Sequence, residues 1–229
     1  MNNFVKEFRG TDNHINEITD VPVRNSKYKQ AMKARIEHTK LSAMPDSIHI
    51  KSWEDEDLGQ PVAYQFAISA FGEILIGSTA KGVCFVGFTN NNREETLKDL
   101  KRRFPASVME EKETEWQREI IVQMNHPEEQ LPVHLHLKGT GFQLDIWKKL
   151  LQVPYGGVIT YAQLGGSSKI ARAAGTAVGR NPVCYILPCH RVVHGDGSFN
   201  GYFWGNDLKK KLLTWEAAAE AFEVIRTLN

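Results

Sequence analysis

Three apolar segments follow one another between residues 63 and 88, YQFAIS, FGEILIGST and KGVCFVGF, with glycine at the junctions. Short runs of β-branched and aromatic residues pack well on a pleated surface, and the glycines allow tight turns between them. They predict consecutive strands of a small antiparallel sheet. In REETLKDLKRRF (93–104) the spacing of Leu97, Leu100 and Phe104 supplies a helix with one apolar face. VHLHLKG (133–139) is a further short alternating strand. His134 and His136 fall on one side of it. No cysteine or carboxylate lies close enough in sequence to complete a metal site, so the pair reads as a solvated strand face.

From Gly141 the pattern becomes helical. Phe142, Ile146, Trp147 and Leu150 form one amphipathic helix, which VPYGG (153–157) ends. TYAQLGG (160–166) is a short helix with Thr160 as its N-cap, and SSKIARAAGTAVG (167–179) is a second with Ser168 as cap. Two short helices joined by a Gly/Ser turn make a helix-turn-helix. The second carries almost no side-chain bulk apart from Arg172, so its backbone can lie close to a partner surface. In a DNA groove, one long cation among small residues can enter the base stack; against another helix, the same residues simply pack. The last helix starts near Asp207 and repeats Leu208, Leu212, Trp215, Ala219 and Phe222.

The fold class is therefore α+β, in three stretches: an N-terminal extension over 1–60, a small α/β domain over 61–138 and a mainly helical domain over 139–229. The extension is polar and aperiodic except for SKYKQAMKARIEHTKL (26–41), where Tyr28, Met32 and Ile36 fall at helical spacing. SWEDEDLGQP (52–61) reads as a linker. The polar start MNNFVKEFRG excludes a signal peptide, and no apolar run reaches membrane-spanning length. Three cysteines cannot form a disulfide framework. A cytoplasmic or nucleoid-associated protein is expected.

The formal net charge is only +1, but it is unevenly distributed. Residues 165–214 hold seven Lys/Arg (Lys169, Arg172, Arg180, Arg191, Lys209, Lys210 and Lys211) against Asp196 and Asp207, while residues 110–129 hold seven Glu against Lys112 and Arg118. This is the polarity of a phosphate-facing surface, or of two solvated faces. Within the basic part lies NPVCYILPCHRVV (181–193). Zinc could recruit Cys184, Cys189, His190 and His194, but zinc motifs use tighter pairs, and Cys184 sits where strand alternation makes it a core residue. Cys189 follows a Pro turn and precedes His190 and Arg191. Nearby positive charge or a base lowers a thiol pKa, which favours a reactive thiolate over an inert core thiol.

Residues 139–216 resemble the O6-alkylguanine-DNA alkyltransferases through GTGFQLDIW, VPYGGVITYAQL, ARAAGTAVGRNP, PCHRVV, GYFWG and the K…LLTWE helix, all in family order. SAFGEILIGSTAKGVC is similar to the smaller N-terminal domain of that family, so the likeness spans about residues 63–217. It is greatest to the alkyltransferase half of the adaptive-response (Ada) type. Three cysteines cannot build the cysteine-rich phosphotriester module of that type, and the Tyr161-to-Arg172 spacing is about three residues shorter than is usual in the family.

The resemblance implies an RNase H-like N-terminal domain and irreversible transfer of an O6-alkyl group, chiefly methyl, from guanine in double-stranded DNA to the protein. It makes Cys189 the acceptor, His190 its base through a water, Glu216 the carboxylate holding His190, and Asn181 a brace for the neighbouring turn. Tyr161 would rotate the target phosphate and hydrogen-bond the guanine. The carbonyls of Cys189 and Val192 would read its amino group, and Tyr202, Phe203 and Trp204 would line the pocket. Arg172 would fill the gap left by the flipped nucleotide, with Ala171, Ala174, Arg180 and Lys209 also on DNA in the minor groove. No metal, cofactor or membrane is implied, and a monomer is expected.

Overall fold

The computed structural model describes residues 26–129 and 131–228. The architecture is α+β. Strands β1 (Ile48–Ser52), β2 (Val62–Ser69), β3 (Gly72–Thr79), β4 (Gly82–Phe88), β5 (Met109–Glu111) and β6 (Val133–Leu137) form one six-stranded sheet in the order β1-β6-β4-β3-β2-β5. As the glycine-punctuated runs predict, β2, β3 and β4 form an antiparallel meander. The sheet as a whole is mixed, because β1 pairs parallel with β6, β6 with β4, and β5 with β2. Two helices, α2 (Arg93–Arg103) and α3 (Glu115–Asn125), accompany it, where one was expected. Thr114 starts α3 with a capping box to Gln117, whose amide reaches the Ala63 carbonyl and the Ser78 hydroxyl at 3.0 Å each.

Two readings of the N-terminal third change. The first 25 residues of the expected extension lie outside the described residues, but β1 falls inside the extension and completes the sheet. The supposed linker contains Asp57, which is buried. Asp57 accepts from the Glu54 amide at 2.9 Å and pairs with Lys81 at 2.6 Å and with His136 Nε2 at 3.1 Å. His136 is fully buried, bonded to Asp57 and Thr79 and stacked on Trp53, so it belongs to a closed polar network rather than a solvated face.

The C-terminal half consists of α4 (Gly141–Leu150), α5 (Tyr161–Gly165), α6 (Ala171–Gly179) and α7 (Asn206–Leu228), with a two-stranded parallel ladder of β7 (Ile159–Thr160) and β8 (Val192–Val193). In α4, Ile146, Trp147 and Leu150 are buried, whereas Phe142 is exposed; it stands in the first turn, off the packed face. Thr160 caps α5 as predicted, its side chain accepting from the Gln163 amide. Ser168 does not cap α6. That helix begins at Ala171 after a turn over 167–170, with no side-chain cap. Of the predicted stripe on α7, Ala219 and Phe222 lie outside the residues whose side chains are described.

The two halves share one hydrophobic core. The segment after α6 runs along β4: the Val86 amide donates to the Pro182 carbonyl at 2.9 Å, and the Cys184 amide donates to the Val86 carbonyl at 3.0 Å. The chain thus enters the turn before Cys189 already anchored to the sheet.

Candidate active site

Asn181 and Tyr185 shape the turn that presents Cys189. The Asn181 carboxamide accepts from the Val183 amide at 2.9 Å and donates to the Leu187 carbonyl at 2.8 Å, tying both limbs of the turn together. Tyr185 sits at φ 71°, a left-handed conformation costly for a bulky residue. It is held there by the Phe71 ring at 5.2 Å and by stacking on His190 at 6.0 Å. Cys189 then opens a single 3-10 turn, Cys189–Arg191, which leads into β8.

His190 is fully buried, and its Nε2 lies 2.8 Å from Glu216 of α7. Nδ1 has no hydrogen-bond partner among the described residues. Glu216 also receives two bonds at 2.9 Å from Arg191, through Nε and Nη2, and one at 3.3 Å from the Gly156 amide. Burial pushes the Glu216 carboxyl up, but the charges of Arg191 and His190 more than reverse this, to about 2. Glu216 is a fixed anion. It can orient the imidazole and stabilise its protonated form.

The thiol has a second sulfur beside it. The Tyr202 hydroxyl lies 3.2 Å from Cys184 Sγ and 3.6 Å from Cys189 Sγ; both cysteines are buried and Tyr202 is half-buried. The neighbouring Cys184 thiol is the largest influence on Cys189. Together with His190, Asn181 and Tyr202 it outweighs burial and holds Cys189 below the ordinary thiol range. Burial pushes the Cys184 thiol well up. Replacing Cys184 by alanine removes that neighbour. The pH at which Cys189 becomes half-reactive toward iodoacetamide should then rise toward the ordinary thiol value, slowing labelling at neutral pH. An unchanged profile would reduce Cys184 to packing.

A small cavity of about 70 Å³ opens beside the thiol, lined by Tyr161, Asn181, Cys189, Tyr202, Phe203 and Trp204 together with the small residues of α6. Gly175 of α6 faces the Tyr161 ring, where a side chain would be in contact. Trp204 is 9% exposed, and a methyl group placed on Gly87 of β4 would lie 2.5 Å from its ring, so the sheet backs this wall of the cavity. Val192 is buried, and its carbonyl accepts from Lys209 Nζ at 2.6 Å.

The family model described as "6-O-methylguanine DNA methyltransferase, DNA binding domain" matches residues 141–218, which contain the whole of this site. The inducible methylated-DNA–protein-cysteine methyltransferase of Bacillus subtilis is 35% identical over 152 residues, covering 64% of this chain and 85% of that protein. The chain belongs to this methyltransferase family. It is also 32% identical over 197 residues to the bifunctional transcriptional activator/DNA repair enzyme Ada of Escherichia coli, covering 78% of this chain and 55% of that protein. The chain therefore spans about half the length of that regulatory relative. A crystal structure of Mycobacterium tuberculosis OGT in complex with DNA matches with a TM-score of 0.56 and 28% identity, over 69% of this chain and 93% of that one.

Against the site expected of a methyltransferase of this family, the structure brings Cys189, His190, Glu216 and Asn181 together and puts Tyr161, Tyr202, Phe203 and Trp204 around one cavity. Arg172, Arg180 and Phe203 are exposed and Ala171 is half-buried. Two expected DNA contacts are corrected. Ala174 is fully buried, turned toward α5 and the core. Lys209 is 1% exposed, with its ammonium on the Val192 carbonyl and over the Phe199 and Tyr202 rings, so it cannot reach a phosphate. Arg191 likewise leaves the basic surface for Glu216. Sequence reasoning missed Arg191 and Lys209 as supports of the site because adjacent charges looked like one solvated patch. It placed Cys184 correctly in the core without seeing the thiol beside it.

Proposed function

We propose that this protein repairs alkylated DNA directly, moving the O6-alkyl group of guanine, chiefly methyl, onto Cys189 in one irreversible turnover. The observation that carries the reading is a buried thiol beside the His190–Glu216 pair, in a cavity walled by the helix-turn-helix. The thiolate forms an S–C bond as the C–O6 bond breaks, and the electron pair leaves on the guanine. A proton delivered toward the ring stabilises that leaving group, a role for Tyr161. The free Nδ1 of His190 is the nitrogen available to take the thiol proton through a water. The Val192 carbonyl has a second lone pair beyond the one used by Lys209 and can accept from the guanine amino group, as can the Cys189 carbonyl.

The target carbon lies inside the duplex, so the base must flip, at a cost of about a few kcal/mol. In this reading the exposed face of α6 lies in the minor groove, with Ala171 close to the backbone, Arg172 in the gap left by the flipped base and Arg180 among the phosphate contacts. Exposed Lys169 and Lys211 add to the same charge.

Intact-mass analysis with excess duplex carrying O6-methylguanine tests the assignment. The protein should gain one methyl, at Cys189, and product should plateau near one per protein. Cys189→Ala should give no transfer while still binding duplex, and Arg172→Ala should slow transfer from duplex far more than from free O6-methylguanine. Continued linear turnover, or no methyl gained, would sink the reading.

A further inference from the structure

The helix α1 (Ser26–His38) precedes the sheet, lies outside the family-model match, and packs on the C-terminal half. Met32 is buried against Val158, Val193, Phe199 and Leu213. One turn later, Arg35 reaches the back of the active site. Its Nε and Nη2 donate to the Gly156 carbonyl at 3.1 and 2.5 Å, and its Nη1 donates to the Leu213 carbonyl at 3.2 Å. These acceptors flank Glu216. Gly156 is the residue whose amide donates to Glu216 at 3.3 Å, and Leu213 lies one turn before Glu216 on α7.

We propose that Arg35 is a positioning residue for transfer, holding the 153–157 loop against α7 so that Glu216, and through it His190, keeps its place beside Cys189. The proposal rests on Cys189 being the alkyl acceptor. A guanidinium suits the task, because its rigid fork can bond two carbonyls from different segments at fixed angles. Gly156 itself has φ 75°, a left-handed conformation that glycine adopts at no steric cost, so its carbonyl can turn toward α1. Thr39, just past α1, adds a second tie. Its hydroxyl donates to the Arg35 carbonyl at 2.7 Å and accepts from the Val158 amide at 2.9 Å, immediately before β7. β7 in turn pairs with β8, which follows the Cys189 turn. Arg191 holds the other end of the loop through the Val153 carbonyl at 2.7 Å while bonding Glu216. The loop is thus clamped at both ends by arginines, one of them carried by α1.

The test compares full-length wild type with Arg35→Ala, Arg35→Lys and Ile36→Ala. It reads the single-turnover rate at saturating O6-methylguanine duplex, duplex Kd, melting temperature, and the rate at which iodoacetamide labels Cys189. Misplacement of a reacting group by about an ångström can cost on the order of a hundredfold. For an effect passed through Glu216, Arg35→Ala is expected to slow transfer about tenfold with Kd unchanged, and to slow iodoacetamide labelling as well. Arg35→Lys, which keeps the charge but not the fork, should fall between the two. Ile36→Ala should lower the melting temperature and leave the rate per folded molecule unchanged, since it removes packing against the same cluster and none of the bonds of Arg35, whereas Met32 Sδ itself lies 3.7 Å from Arg35 Nη1. Wild-type transfer and labelling rates in Arg35→Ala, whatever its melting temperature, would overturn the proposal. Should the alanine variant not fold, Arg35→Lys decides: a slower rate supports it and a wild-type rate overturns it. If wild type transfers no methyl at all, the functional reading fails, and the iodoacetamide arm still decides the role of Arg35 in either direction.

Discussion

Glu216→Ala is expected to lose about 3–5 kcal/mol of folding stability, because it strands a half-buried guanidinium and a buried imidazole without their anion. It should also slow single-turnover transfer on the order of a hundredfold, since His190 loses the group that fixes its orientation. Denaturant unfolding and quenched single-turnover assays measure the two effects. A variant as stable as wild type would mean that Arg191 finds another partner at once. Glu216→Gln separates charge from shape and gives a pH test. The folded-state carboxyl is depressed from 4.5 to about 2, so its contribution to stability is complete above about 4.5 and is lost as pH falls toward 2. The wild-type stability curve should therefore fall more steeply across that window than the curve of the glutamine variant.

The second large effect is expected at Trp204. Its ring forms one wall of the cavity beside Cys189 and has no room to retreat, with Gly87 behind it, Phe88 at 6.3 Å and Phe203 at 4.7 Å. Packed rings do not yield space without strain. A methyl group fits such a site, whereas a flat benzyl group would be pushed out of line with the sulfur. Wild type should resist inactivation by O6-benzylguanine, and Trp204→Gly should be inactivated on the order of a hundredfold faster. Transfer of methyl from duplex should change far less. Equal benzylguanine sensitivity in the two proteins would show that the ring does not gate the cavity.

The short-range features of this protein were written in its sequence. The β2–β4 meander, α2, the Thr160 cap and the helix-turn-helix all follow from patterns that repeat within a few residues, where steric fit and local hydrogen bonds suffice. The setting of Cys189, a thiol after a Pro turn with His190 and Arg191 at hand, was equally local. Tertiary structure decided everything that depends on partners far apart in the chain. β5 is only three residues, MEE, and β1 alternates in a polar stretch; each is a strand because a neighbour supplies its ladder. His136 is buried because Asp57, 79 positions earlier, and Thr79 satisfy it. On α7 the apparent stripe ran through Leu208, Leu212 and Trp215, yet among the described residues Lys209, Leu212, Leu213 and Glu216 are those at 0–1% exposure. Two members of that face are charged, so no hydrophobic pattern can reveal it. A lysine or glutamate is buried only where the fold brings a carbonyl, an imidazole or a guanidinium to meet it, and Val192, His190 and Arg191 reach α7 only after the chain has folded.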